Sequence, residues 1–281
     1  MILFNETKIL VLNKVGKSDI KIKKYGRTVL ICIDRPESLN AFTPSTVEAL
    51  NQAIDEFEND NELWTAVLTG GGKKSFCVGA DLKWMASNPD AKREDWKTHK
   101  GIWKKMTEKP IIAAVNGYCL GGGFEIALCC DLIIAATNAI FGLPELKNAG
   151  SFPGDGGPFR LPRQIPQRIA MDMLLTDMRL SSKEALRLGL INQIVSSDDL
   201  LNKALEKAEQ INKAPPIAVR LTRNLVYSSL DLPLNEPEDT GFTSWDLYND
   251  AENKLHQSED WKSGEGPKSF LEKRDANWTG K

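Results

Sequence analysis

Apolar and polar residues follow two different periods along this chain. Near the N-terminal end, Ile9 to Leu12, Ile20 to Lys24 with Ile and Lys in turn, and Thr28 to Asp34 form short runs separated by turn residues. They predict three strands in a meander. The period then changes: Thr43-Pro44 supplies an N-cap and an N1 proline, and Val47, Leu50, Ile54 and Phe57 recur at helical spacing. An amphipathic helix of about four turns is expected there. Thr65 to Thr69, Ile111 to Val115 and Leu132 to Ala136 are short, continuous apolar runs, the mark of buried strands. Strand-glycine-helix units recur to about residue 197. Beyond it only helical patterns remain, with Asp198 as cap for a helix carrying Leu201, Ala204, Leu205, Ala208 and Ile211, and a break at Pro215-Pro216. Further helices are expected around 217–230 and 239–257. The pattern divides the chain into an α/β domain over 1–197 and a helical region over 198–281.

The 281 residues are 41% apolar and 26% charged, which excludes disordered, collagen-like and disulfide-scaffold classes. With 36 Lys+Arg against 38 Asp+Glu the net charge is -2, so the basic excess that holds a nucleic-acid backbone is missing. No apolar run approaches the roughly 20 residues of a membrane span, and the opening residues lack the pattern of an export signal. Cys32, Cys77, Cys119, Cys129 and Cys130 form no CxxC and lie mostly in apolar stretches. Buried, reduced thiols and a cytoplasmic location are expected. The two histidines, His99 and His256, stand far from any cysteine cluster, so no metal site is expected.

Two glycine runs invite a chemical reading. Gly70-Gly71-Gly72-Lys73-Lys74-Ser75 lacks the spacing of a phosphate loop and reads as a surface turn. The run Asn116-Gly117-Tyr118-Cys119-Leu120-Gly121-Gly122-Gly123-Phe124-Glu125 differs because it follows a buried strand and precedes an apolar helical stretch, Ile126 to Cys130. Bare glycines at a helix start leave backbone N–H groups uncovered, and the helix dipole adds positive potential, so such a turn holds an oxyanion as readily as it permits tight packing. Glu125 sits in the first helical turn. A second carboxylate, Glu145, follows Pro144, which predicts an extended approach and a loop acid. Two carboxylates beside an oxyanion donor suit acid-base chemistry on an acyl compound, since one takes a proton while the other gives one.

Arg35-Pro36 with Leu39-Asn40-Ala41, Phe76-Cys77-Val78-Gly79-Ala80-Asp81-Leu82, Lys109 to Gly117 with the glycine run, Pro144-Glu145, Pro153 to Gly157 and the tail Phe270-Leu271-Glu272-Lys273-Arg274 together resemble the crotonase (enoyl-CoA hydratase/isomerase) superfamily over roughly residues 25–281. The resemblance implies a crotonase-type spiral of ββα units and a C-terminal helical region that builds trimers or dimers of trimers. It implies an enzyme of fatty acid or lipid metabolism that binds an acyl-CoA, needs no cofactor beyond the coenzyme A of its substrate, and stabilises an enolate. By the same resemblance the backbone N–H groups of Ala80 and Gly122 form the oxyanion hole, and Glu125 and Glu145 are the catalytic pair, with base and acid roles in that order. Leu39, Asn40, Ala41, Asp81, Leu82 and Lys83 line the CoA groove, Gly154 donates near the reacting centre, and Lys273 lies near the adenine end.

Hydration of an enoyl-CoA is the leading expectation, because both glutamates are present. Isomerisation, thioester hydrolysis, retro-aldol cleavage and dehydration of a less usual hydroxyacyl-CoA are the alternatives on the same scaffold. Asp155 stands where typical hydratases carry a small neutral residue and is an accessory candidate, although its turn composition suits a purely local role. One extra residue between Glu145 and Pro153 alters the loop at Asn148 to Phe152, and the tail from Ser258 resembles the carnitinyl-CoA dehydratase-like branch. RNA binding, known among relatives, finds no basic face on the helix from Ser45 to Asn59, which carries Glu48, Asp55, Glu56 and Glu58. Lys97, Lys100 and Lys104 form a stripe beside Trp96 and Trp103, read as a solvated face over apolar packing.

Overall fold

The N-terminal alternation folds into the expected antiparallel meander: β1 (Thr7–Leu10), β2 (Ile20–Tyr25) and β3 (Thr28–Ile33) pair in order. In β2 the alternation places Ile20 and Ile22 inward and Lys21 outward. A computed structural model describes residues 7–10, 19–96, 101–104, 106–234 and 242–281 of the chain. Val11 and Leu12 of the first expected strand, His99, Lys97 and Lys100 lie outside the described residues, as does the start of the helix expected at 239.

Helix α1 (Pro44–Asn59) begins as its sequence predicts, with Thr43 capping and Pro44 in the first turn, and it buries Val47, Leu50, Ile54 and Phe57. A repeat then sets in. Each unit contributes one strand to a seven-stranded sheet, one to a four-stranded sheet, and a short helix: β4 (Thr65–Gly70), β5 (Ser75–Cys77) and α2 (Leu82–Ser87); β6 (Ile111–Val115), β7 (Tyr118–Leu120) and α3 (Gly122–Ala127); β8 (Leu132–Ala136), β9 (Ile140–Gly142) and α4 (Glu145–Asn148). Within each sheet the strands of successive units pair in parallel, β4 with β6 with β8 and β5 with β7 with β9. This is the spiral of ββα units. Its strands are buried on both faces, which explains their unbroken apolar runs.

Helices α5 (Gly157–Gln164) and α6 (Gln167–Thr176), strand β10 (Leu180–Ser181), helix α7 (Ser182–Arg187) and strand β11 (Gln193–Val195) complete the two sheets. Helix α8 (Leu200–Asn212) follows, but Asp198 does not cap it: its carboxylate pairs with Lys73 at 2.8 Å. An exposed carboxylate takes the nearer cation, and Lys73 is brought there by the glycine turn after β4.

By contacts the chain divides into two compact units, Met1–Thr107 with Ile111–Ala208, and Glu108–Pro110 with Glu209–Lys281. The second unit holds α9 (Pro216–Ser229) packed on α10 (Ser244–Gln257), then α11 (Glu259–Lys262) and α12 (Glu265–Glu272). The tail is tied down by Asp260, whose carboxylate accepts from Thr279 and Gly280, and by Trp278, whose indole N–H donates to the Lys213 carbonyl. Among the described residues no helix is long and apolar enough to cross a membrane, and no group of side chains has the makings of a metal site.

Candidate active site

Because β5, β7 and β9 run parallel, their C-terminal ends open on one edge of the small sheet. There the chain leaves each strand for a short helix. Parallel sheets place ligand sites at such an edge. Val78-Gly79-Ala80 leaves β5, Gly121-Gly122 leaves β7, and Leu143-Pro144-Glu145 leaves β9. Residues separated by more than sixty positions in sequence thus become neighbours.

The glycine run does more than precede a helix. It forms the first turn: α3 starts at Gly122 and ends at Ala127, earlier than the expected apolar stretch Ile126 to Cys130. Gly121 holds φ 55 and ψ -138, which only glycine adopts without strain, and Gly79, at φ +87, lies so close that a Cβ there would come 2.9 Å from the Gly122 nitrogen. A parallel bridge joins Phe42 to this segment through the Gly79 carbonyl and the Asp81 N–H, so the Ala80 N–H faces the other way. Among the described residues neither Ala80 N–H nor Gly122 N–H has an acceptor. Two uncommitted donors that follow adjacent strands make a seat of the chemistry an oxyanion requires.

Two carboxylates flank this seat. Glu125, 1% exposed, points from the first turn of α3, and its Oε1 accepts from the Asp155 N–H at 2.8 Å and the Gly157 N–H at 2.7 Å. Burial pushes its carboxyl up to about 7; the Gly157 N–H opposes the rise, the Asp155 charge adds to it, and Arg160 lowers it. Glu145 opens α4. Pro144, at φ -85 and ψ 14, turns directly into that helix, so Glu145 is not the extended loop acid its proline predicts. A Cβ on Gly121 would lie 3.2 Å from its Oε1, which sets this carboxylate beside the glycine turn. Its Oε2 is buried and has no hydrogen-bond partner among the described residues. Burial pushes Glu145 up to about 7 as well, with the charges of Glu125 and Asp155 adding to the rise.

Asp155 is thus at the site by both routes: its N–H holds Glu125, and its charge reaches both glutamates. Gly154 precedes it in the same turn, half-buried. Arg160, which the sequence reading left unassigned, ties this turn down by donating to the Asp155 carbonyl at 2.7 Å and to the Trp103 carbonyl. The thiols of Cys77 and Cys129 are pushed up to about 12 by burial, far from the range of a nucleophile.

Several residues expected along the CoA groove have local work. The Asn40 side chain is fully buried and donates to the carbonyls of Gly71 and Ser75, and the Ala41 carbonyl accepts from Arg35. Asp81 caps α2 through the N–H groups of Lys83 and Trp84 and pairs with Arg35 at 3.1 Å. Leu39 is half-buried, whereas Leu82 and Lys83 expose their side chains. Lys273 belongs to the second compact unit, exposed at the end of α12.

Comparison with known proteins agrees with this geometry. Residues 23–281 match the family model described as enoyl-CoA hydratase/isomerase. The carnitinyl-CoA dehydratase of Salmonella enteritidis is 38% identical over 267 residues, a match covering 93% of this chain and 98% of that protein. The solved enoyl-CoA hydratase of Bacillus anthracis superposes with a TM-score of 0.84 at 32% identity, covering 94% of this chain and 100% of that one. The enoyl-CoA hydratase of Mycobacterium marinum gives 0.83 at 34% identity with the same coverage. A repeat of ββα units, matched over nearly its whole length by the family model, by curated relatives and by solved structures, makes this chain a member of the enoyl-CoA hydratase/isomerase family, the crotonase superfamily.

Proposed function

We propose that the chain is an enoyl-CoA hydratase that adds water reversibly across the 2,3 double bond of an acyl-CoA. Hydro-lyase chemistry on an acyl-CoA is what its relatives are named for; hydration of a simple enoyl-CoA is the finer reading. The observation that carries it is the inequality of the two carboxylates, one buried and one half-buried, beside two uncommitted N–H donors.

An enoyl thioester resists attack at Cβ until charge developing on its carbonyl oxygen is stabilised, and the Ala80 and Gly122 N–H groups supply that stabilisation, about 3 kcal/mol for each such donor. Glu125 receives two N–H bonds and faces Arg160, which favours its ionised form and the role of base. Glu145 has no donor at Oε2 among the described residues and feels the charges of Glu125, Asp155 and Asp177, which favours the protonated form and the role of acid. Water attacks Cβ as its proton passes to Glu125; the π pair moves onto the carbonyl oxygen as an enolate and returns to Cα, which takes the proton of Glu145. The product is the 3-hydroxyacyl-CoA. Exchange of one proton between the carboxyls, through solvent, resets the site.

A second reading rests on the relative named carnitinyl-CoA dehydratase: the same residues run in reverse on a less usual hydroxyacyl-CoA. Turnover of a short-chain enoyl-CoA and of a hydroxyacyl-CoA bearing a quaternary ammonium, with products separated by chromatography, distinguishes the two. Hydroxyacyl-CoA formed from the simple enoyl-CoA is the expected result. A shifted double bond or free coenzyme A in its place overturns hydration.

Self-association as a trimer or a dimer of trimers is part of the same proposal. Val226, Leu230, Trp245 and Tyr248 of the second unit leave large apolar side chains exposed, which supports it. Sedimentation analysis is the check. The five free cysteines support a cytoplasmic location.

A further inference from the structure

The two donors of the oxyanion seat come from the ends of β5 and β7, but the ladder between these strands does not reach them. Its last pair is Cys77 with Cys119, after an irregular step in register, and Ala80 and Gly122 lie beyond it. Something other than strand pairing must set their spacing. Phe42, 3% exposed in the turn before α1, touches both segments.

Toward Ala80 the contact is made by backbone: the Phe42 N–H donates to the Gly79 carbonyl and the Phe42 carbonyl accepts from the Asp81 N–H, both at 2.9 Å, so Ala80 is bracketed on either side. Toward Gly122 it is made by the ring, for a Cβ on Gly122 would meet Phe42 Cζ at 2.6 Å. The ring itself is held. Trp103 meets it edge-on with centroids 5.7 Å apart, and Trp96 does so at 6.1 Å. The Trp103 indole N–H also donates to the Gly122 carbonyl at 3.4 Å, so the peptide group that follows the second donor is held from this cluster too.

We propose that Phe42 is a positioning residue that sets the distance and angle between the Ala80 and Gly122 N–H groups, and so governs enolate stabilisation without touching the substrate. The proposal rests on reading these two N–H groups as an oxyanion hole. Removing one such donor costs about 10²–10³-fold in kcat, and a misplacement of about 1 Å costs up to 10²-fold. Loss of the ring lets the Gly122 segment move while the Phe42 backbone still holds Ala80, so the seat loses its geometry with both donors still present.

The test uses Phe42→Leu and Phe42→Ala, with Phe57→Leu as a control that opens the core under α1 instead. Two quantities are read: kcat against KM for the enoyl-CoA, and the carbonyl stretching frequency of a bound, isotopically labelled acyl-CoA. A polarised carbonyl absorbs at lower frequency than the free thioester. Expected is a fall in kcat of roughly 10–100-fold for Phe42→Ala, less for Phe42→Leu, with KM within about 3-fold and the band returning toward the free value in the same order. Phe57→Leu is expected to lower the melting temperature and leave the band in place. A band unmoved by Phe42→Ala, or a loss confined to KM, overturns the proposal alone. A wild-type protein that never shifts the band overturns the oxyanion reading itself.

Discussion

Glu125 and Glu145 each occupy the first turn of a short helix that follows a strand of the small sheet, yet their surroundings differ. The turn facing Glu125 is braced: Asp155 and Gly157 donate to its carboxylate, and Arg160 holds the Asp155 carbonyl while also gripping that of Trp103. The helix of Glu145 is four residues long and runs into the exposed stretch Lys147 to Phe152, and its Oε2 meets no donor among the described residues. Similar placement therefore produces one carboxylate, fully buried, that two N–H groups of a distant turn hold, and one, half-buried, whose Oε2 is left without a donor. Burial is the largest cause that raises both to about 7; the Gly157 and Asp155 N–H groups and Arg160 oppose the rise at Glu125, while neighbouring carboxylates add to it at Glu145. Glu125, the base of the proposed mechanism, is held by a braced turn, while Glu145, its proposed acid, sits at the root of a stretch whose Phe152 is 66% exposed.

Removing either carboxylate has the largest expected effect. Glu125→Gln and Glu145→Gln each keep the shape and are expected to lower kcat by at least about 10²-fold, with the double variant losing little more than the worse single one. Solvent deuterium uptake at Cα sharpens the comparison, for it should vanish in Glu145→Gln. Near-wild-type hydration by either variant would break it. Next in size is Arg160→Met, which frees the turn around Asp155 and removes the charge that lowers Glu125. A loss on the order of 10-fold in kcat is expected, and the acid limb of kcat/KM moves to higher pH. An unmoved limb means that Arg160 only packs.

Asp155→Asn acts in the opposite direction. Its charge raises both glutamates, so both limbs of the pH profile should move to lower pH, and the ranking of acyl-CoA substrates should change. A lower melting temperature with profile and ranking intact would reduce Asp155 to a turn residue. The smallest effect is on stability. Glu145 titrates near 7 when folded and near 4.3 when unfolded, so between these values the folded protein holds more protons and stability falls as pH rises. Glu145→Gln should therefore raise the melting temperature at pH 8 by a few degrees relative to its effect at pH 4. An equal change at both pH values would show that the carboxyl is not raised.

Local order was legible wherever the period of the side chains matched one element: α1 with its Thr43 cap, the meander, and the buried strands Thr65–Gly70, Ile111–Val115 and Leu132–Ala136. The glycine run and Glu125 stood out because bare glycines before an apolar helix are rare without a reason. Glu145 needed the family resemblance, since its surrounding residues mark only a loop. What local sequence misjudged was settled by distant partners: Asp198 turned to Lys73, Pro144 entered a helix, and Asn40 was drawn inside to the Gly71 and Ser75 carbonyls.

The sequence by itself determined the elements, the class of fold and the glycine run with Glu125, because these follow from side-chain period, backbone freedom and residue chemistry within a few positions; Ala80 and Glu145 were marked by the family resemblance. The tertiary structure alone decided that Phe42 meets Gly122, that Trp103 and Arg160 brace the two halves of the site, and that Glu125 is held by two N–H groups where Glu145 has none at Oε2. Such contacts join residues 19 or more positions apart, and neither their distance nor the desolvation they impose has any signature in the order of residues along the chain.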